Sequence, residues 1–115
     1  MTVKEFLEST FDPENPYQVR DRVTCHDGYS ISIQGGTVGH YCSPRQHVNE
    51  YEQVELGYPS TADDELIEYA EDGSDLTGTV YGYVPIEVIE SIIAKHGGIV
   101  DFSQDFEPTE QTQAE

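Results

Sequence analysis

Cys25, His40, Cys42 and His96 are the residues whose types best suit a metal ion, and both cysteines and two of the four histidines fall between positions 25 and 42. His40 and Cys42 are two apart, so in an extended segment they point to the same face, where a thiolate and an imidazole can share one ion. Cys25 ends a predicted strand, and His96 ends a predicted helix that should cover the sheet. His26 and His47 are substitute ligands. Four such ligands make a closed tetrahedral site, so the expected cofactor is a structural zinc. The competing reading of the same residues is a pair of buried cysteines with surface histidines. No CxxC and no HxxxH occurs in the chain.

Other chemistries are poorly served. HExxH and GxSxG are absent, and neighbours two apart, such as His40 and Cys42, turn their reactive atoms away from each other, so the expectation is a protein that is not an enzyme. Gly35, Gly36 and Gly39 are not followed by Gly-Lys-Ser/Thr, which points to a bulge or loose loop and not a phosphate cradle. Asp63-Asp64-Glu65 lacks the alternation and the glycine of an EF-hand loop.

Charge is the strongest compositional signal. With 23 Asp and Glu against 5 Lys and Arg, the formal net charge is −18, which repels nucleic acid, anionic membranes and nucleotide phosphates. Direct nucleic-acid binding is therefore not expected. The same field attracts basic protein grooves, above all those that normally hold DNA or RNA. Carboxylates fixed at spacings comparable to phosphates can enter such a channel and release the same counterions. Glu50, Glu52, Glu55, Asp63, Asp64, Glu65, Glu68, Glu71, Asp72 and Asp75 are the candidate partner-binding residues. The competing reading is a merely solvated face.

The elements that would carry these residues follow from local patterns. Thr2-Val3-Lys4-Glu5 is a capping box opening a short helix with Val3, Phe6 and Leu7 on its apolar side, ended by Asp12-Pro13-Glu14-Asn15-Pro16. Tyr17 to Cys25 alternates and predicts a strand with Val23 and Cys25 inward and Arg20 and Arg22 outward. Asp27-Gly28 predicts a two-residue type I′ hairpin into a strand with Tyr29, Ile31 and Ile33 buried. Tyr51 to Tyr58 predicts a third strand, with Glu55 on the face opposite Val54 and Leu56. Thr79 to Val84 predicts a fourth. The acidic stretch from Ala62 to Asp75 fits either helical turns or a loop. Pro85 suits the first position of a helix carrying Ile86, Ile89, Ile92 and Ile93, with Gly97 as its left-handed cap.

These patterns predict one α+β domain over residues 1–102: an antiparallel sheet of about four strands, a main covering helix and a short N-terminal helix. Residues 103–115 read as a disordered acidic tail. No apolar run approaches the roughly 20 residues needed to cross a bilayer, and the first residues lack a signal-peptide pattern, so a cytoplasmic protein with reduced cysteines is expected.

Five phrases carry a resemblance: Asp27-Gly28-Tyr29-Ser30-Ile31-Ser32-Ile33-Gln34, His40-Tyr41-Cys42-Ser43-Pro44-Arg45, Val54-Glu55-Leu56-Gly57-Tyr58-Pro59-Ser60, Val80-Tyr81-Gly82-Tyr83-Val84-Pro85 and Ala94-Lys95-His96-Gly97-Gly98-Ile99. Together they resemble small proteins carried by phages and mobile elements of Gram-positive bacteria, and through them anti-CRISPR inhibitors of type II RNA-guided nucleases, some of which contain a metal ion. The resemblance spans roughly residues 18 to 100. It implies an inhibitor that binds a CRISPR effector nuclease in the bacterial cytoplasm and hinders loading of target DNA. The other class is an accessory or regulatory protein-binding module of a phage or conjugative element.

Overall fold

A computed structural model describes residues 1–101. Phe102 and the expected acidic tail, 103–115, lie outside the described residues. The elements are α1 (Val3–Thr10), β1 (Val23–Thr24), β2 (Ser30–Gln34), β3 (Gln53–Gly57), a 3-10 helix (Asp64–Tyr69), β4 (Val80–Pro85) and α2 (Ile86–Lys95). The strands form one antiparallel sheet in the order β1-β2-β3-β4, so the fold is α+β as the alternating segments predict.

Register explains which residues meet. Val23 pairs with Ile31, Ile33 with Leu56, Val54 with Val84 and Leu56 with Tyr81, so these side chains share one face of the sheet. That face joins Val3, Phe6 and Leu7 of α1 and Ile89, Ile92 and Ile93 of α2 in a single core. Full burial of an aliphatic side chain of this size contributes about 2 kcal/mol, so these residues dominate the stability of a small domain.

Both helices are closed at their ends by specific groups. Thr2 and Glu5 form the capping box at α1. The Glu90 carboxylate of α2 adds to it, accepting from the amides of Val3 at 2.8 Å and Lys4 at 3.0 Å. The first turn of α1 is thus satisfied partly across the core. At the far end of α2, Gly97 takes φ +91° and closes the helix as its position after Lys95 and His96 predicts.

The structure departs from the local sequence patterns at particular points. The hairpin is a three-residue loop, not a two-residue type I′ turn: the Cys25 amide donates to Tyr29 O, the Gly28 amide donates to Cys25 O, and of the loop only Gly28 has positive φ, at +97°. The Asp27 carboxylate accepts from the Tyr29 amide and spares Asp27 the left-handed conformation a type I′ turn demands. The first strand shrinks to Val23–Thr24 because, at Arg20, pairing is taken over by a side chain. Gln34 accepts from the Arg20 amide at 2.9 Å and donates to the Arg20 carbonyl at 2.8 Å. Arg20 itself turns inward, not outward. Its Nε donates to Thr10 Oγ1 and its Nη2 to Leu7 O, closing the carboxyl end of α1. Pro85 ends β4 and caps α2, which begins one residue later than the pattern predicts.

The sheet edges are covered. Cys25 bridges Ile99 beyond β1, and Ala70 bridges Tyr81 beyond β4. Opposite Glu55, the β3–β4 register shifts at Gly82-Tyr83, a bulge that places Tyr83 at φ +54°. No helix among the described residues is long and apolar enough to cross a membrane.

Candidate functional site

The four expected metal ligands sit in different surroundings. Cys25 is buried beside Ile99, and loss of water pushes its thiol up to about 11. Cys42 is buried against Gly36, whose amide donates to Sγ at 3.3 Å and whose carbonyl accepts from it at 3.3 Å. Burial raises its thiol as well, and the Gly36 amide only partly opposes that. Both cysteines are free thiols. His40 Nδ1 lies 3.0 Å from Glu55 Oε1. His96 stacks on Tyr29, with Nδ1 2.7 Å from Asp27 Oδ2.

His96 and the Cys25–Tyr29 loop do come together, but through packing and hydrogen bonds. Asp27 N donates to His96 O, and His26 N donates to Gly98 O, so the loop is laced to the end of α2. The substitute ligand His47 packs against Phe11, its Nε2 beside the Asp12 carbonyl. Among the described residues, no group of three or more His, Cys, Asp or Glu is gathered to hold a metal ion. The described residues therefore do not show Cys25, His40, Cys42 and His96 as one ligand set.

The ten expected contact carboxylates divide among three places. Glu55 is buried, and the loop from Gly35 to Cys42 folds over it and supplies His40 as its partner. Its side chain is largely covered, with His40 as its neighbour. Strict alternation puts Glu55 on a solvent face. The covering loop overrides that, and only the glycine-rich composition of the loop hints at it.

The second place is the segment from Asp63 to Asp75. Asp63 caps the 3-10 helix through the Glu65 amide and pairs with Lys95 Nζ at 2.8 Å. Burial alone would raise the Asp63 carboxyl, but Lys95 and the Glu65 amide outweigh it and hold it below the ordinary range. Asp63 therefore ties the acidic segment to the end of α2. Leu66 anchors the helix in the core, and the Glu71 amide donates to Val80 O. Asp64, Glu65, Glu68, Glu71, Asp72 and Asp75 are exposed. Lys95 also reaches Glu65, at 3.7 Å.

Glu50 and Glu52 occupy the third place, at the opposite end of α2. The first amide of that helix, on Ile86, donates to Glu52 O. The ten residues of α2 separate this pair from Lys95 and Asp63 by about 15 Å. Glu50 meets Lys4 at 3.9 Å with both side chains exposed, a contact of little energetic weight. No family model, no curated protein and no solved structure matches this chain.

Proposed function

We propose that the chain is a protein-binding inhibitor whose acidic segment from Asp64 to Asp75 occupies a basic groove that otherwise holds nucleic acid. The observation that carries this reading is the exposure of six carboxylates on one anchored segment: Asp64, Glu65 and Glu68 on the 3-10 helix, then Glu71, Asp72 and Asp75 beside β4. A fixed display of charge costs less ordering entropy on binding than a flexible acidic tail. The overall charge of −18 supports the same partner chemistry, because it speeds encounter with a cationic surface and repels competing anions.

The resemblance to anti-CRISPR proteins names the partner class as a type II RNA-guided nuclease. The basic channel of such an enzyme holds a duplex through its backbone, which is the chemistry a set of carboxylates on an anchored segment imitates. The inhibitor acts by stoichiometric occupation, with no turnover. The test is a cleavage assay in which the chain is titrated into a guide-loaded effector nuclease. Inhibition that saturates near one equivalent supports the reading. Cleavage that continues at large excess rejects it, and a pull-down recovering a transcription or replication factor moves the same acidic chemistry to the accessory-module class.

A further inference from the structure

A second surface lies at the other end of α2. A groove of about 730 Å³ runs between the Ser43-Pro44 segment and the start of α2, with Pro44, Pro85 and Ile86 contributing apolar lining and Glu50, Glu52 and Glu87 lining it with charge. Among the described residues, no ion pair engages Glu52 or Glu87.

An aromatic pair adjoins this groove. Ser43 bridges Gln53, which pairs with Pro85. Two residues earlier on both flanking segments, the Tyr83 amide donates to the Tyr41 carbonyl, and the two rings stand 5.9 Å apart. Two residues of chain span at most about 7 Å, so the ring pair and the groove are neighbours. Tyr41 is 41% exposed and Tyr83 42%. Tyr83 also sits at φ +54°, a conformation that glycine adopts freely and a bulky residue adopts at a cost. Tyr58 has a similar φ, +52°, and similar exposure; Tyr83 differs in its ring contact with Tyr41.

We infer that the groove and the Tyr41–Tyr83 pair form a docking surface for an extended, arginine-bearing segment of a partner protein. A guanidinium stacks on a tyrosine face and pairs side-on with a carboxylate, while its aliphatic stem packs on proline and isoleucine. The ring pair and the groove lining together supply all three. Charge selects the occupant: an acidic or phosphorylated segment is repelled by Glu50, Glu52 and Glu87. This inference is independent of the nuclease reading, since it concerns a different end of α2 and no nucleic-acid channel.

The experiment is an amide NMR titration of the full chain with a capped peptide carrying two arginines separated by glycine, run beside its lysine counterpart. Saturable shifts centred on Tyr41, Glu52, Gln53, Tyr83, Ile86 and Glu87 are expected. The arginine peptide should bind more tightly than the lysine one. Affinity should fall at least about tenfold in Glu52→Gln/Glu87→Gln and in Tyr83→Gly, a change the left-handed backbone accepts, and stay unchanged in Glu8→Gln/Glu14→Gln, which alters exposed carboxylates elsewhere. No saturable shift at millimolar peptide, equal affinity for both peptides, shifts centred on residues 64–75, or undiminished affinity in the groove variants would each overturn the inference.

Discussion

His96 lies flat on Tyr29, the ring centroids 4.0 Å apart and the planes 3° from parallel. The stack fixes the hairpin loop against the end of α2, and the Asp27 carboxylate completes the joint through His96 Nδ1. Two segments about 70 residues apart in sequence thus close the domain through one aromatic contact and one polar one.

Acid should loosen this joint. Asp27 is held below the ordinary carboxylate range by the Tyr29 amide first and the His96 hydrogen bond second, and Asp63 is net lowered against its burial by Lys95 and the Glu65 amide. A lowered folded-state value means that the contribution is fully present above the unfolded-state value, about 3.9, and is lost as pH falls through the folded-state value. Urea midpoints measured from neutral to strongly acid pH should show Asp27→Asn less stable than the parent near neutrality. The difference should disappear in strong acid. A constant difference at every pH would show that the Asp27 charge is irrelevant.

Glu90 should matter more than a surface glutamate. Its carboxylate accepts from Val3 and Lys4, so Glu90→Ala leaves the start of α1 with unpaired amides next to a fully buried side chain. A loss of about 1–2 kcal/mol in denaturant-derived stability is expected, with Thr2→Ala costing about 1 kcal/mol. The two changes act on one helix end, so the double variant should depart from additivity.

Gly35 and Gly28 should fail for different reasons. A Cβ on Gly35 would fall 2.6 Å from the Tyr51 ring, and that ring is held in place by its hydroxyl donating to Gln46 O. Gly35→Ala should destabilise by about 1–3 kcal/mol through overpacking. Gly28 has open space around it but sits at φ +97°, so Gly28→Ala should cost about 1–2 kcal/mol through backbone strain alone. At Tyr83 the sign reverses, and Tyr83→Gly should leave the melting temperature unchanged or raise it.

Both thiols should be slow to react. Cys25 and Cys42 are buried and their thiols are raised, so an aromatic disulfide reagent should label them on unfolding and hardly at all in the native state. Fast native labelling would contradict this packing. Elemental analysis of the same sample finding one zinc per chain, released as the thiols are labelled, would mean that the chain binds metal in another arrangement.

Local rules reach far into this sequence and stop at long-range contacts. The capping box at Thr2, the inward Ile31 and Ile33, the isoleucine stripe of α2 and the Gly97 cap are all dictated by neighbours within four positions. The bulge at Gly82-Tyr83, the Gln34 side chain standing in for a strand beside Arg20, and the Glu90 cap on α1 are set by residues distant in sequence. Periodicity carries no trace of them. The candidate site divides the same way. The exposed carboxylates from Asp64 to Asp75 are legible as a charge run, whereas Glu55 and Asp63 are drawn into the structure by His40 and Lys95. Of the four candidate metal ligands only His40 and Cys42 are linked by spacing, and in the structure each of the four has a different neighbour.

Displacement of a labelled target duplex from a guide-loaded type II effector nuclease, followed by fluorescence anisotropy, tests directly whether the acidic segment replaces nucleic acid in a basic groove. The wild-type chain should release the duplex with a stoichiometric end point and a steep dependence on salt. Reversing Asp64, Glu65, Glu68 and Glu71 to lysine, with Asp63 kept because it holds Lys95, should weaken release by at least about a hundredfold while the melting transition survives. A duplex that stays bound at excess chain, or a reversed variant that competes as well as the parent, would contradict it.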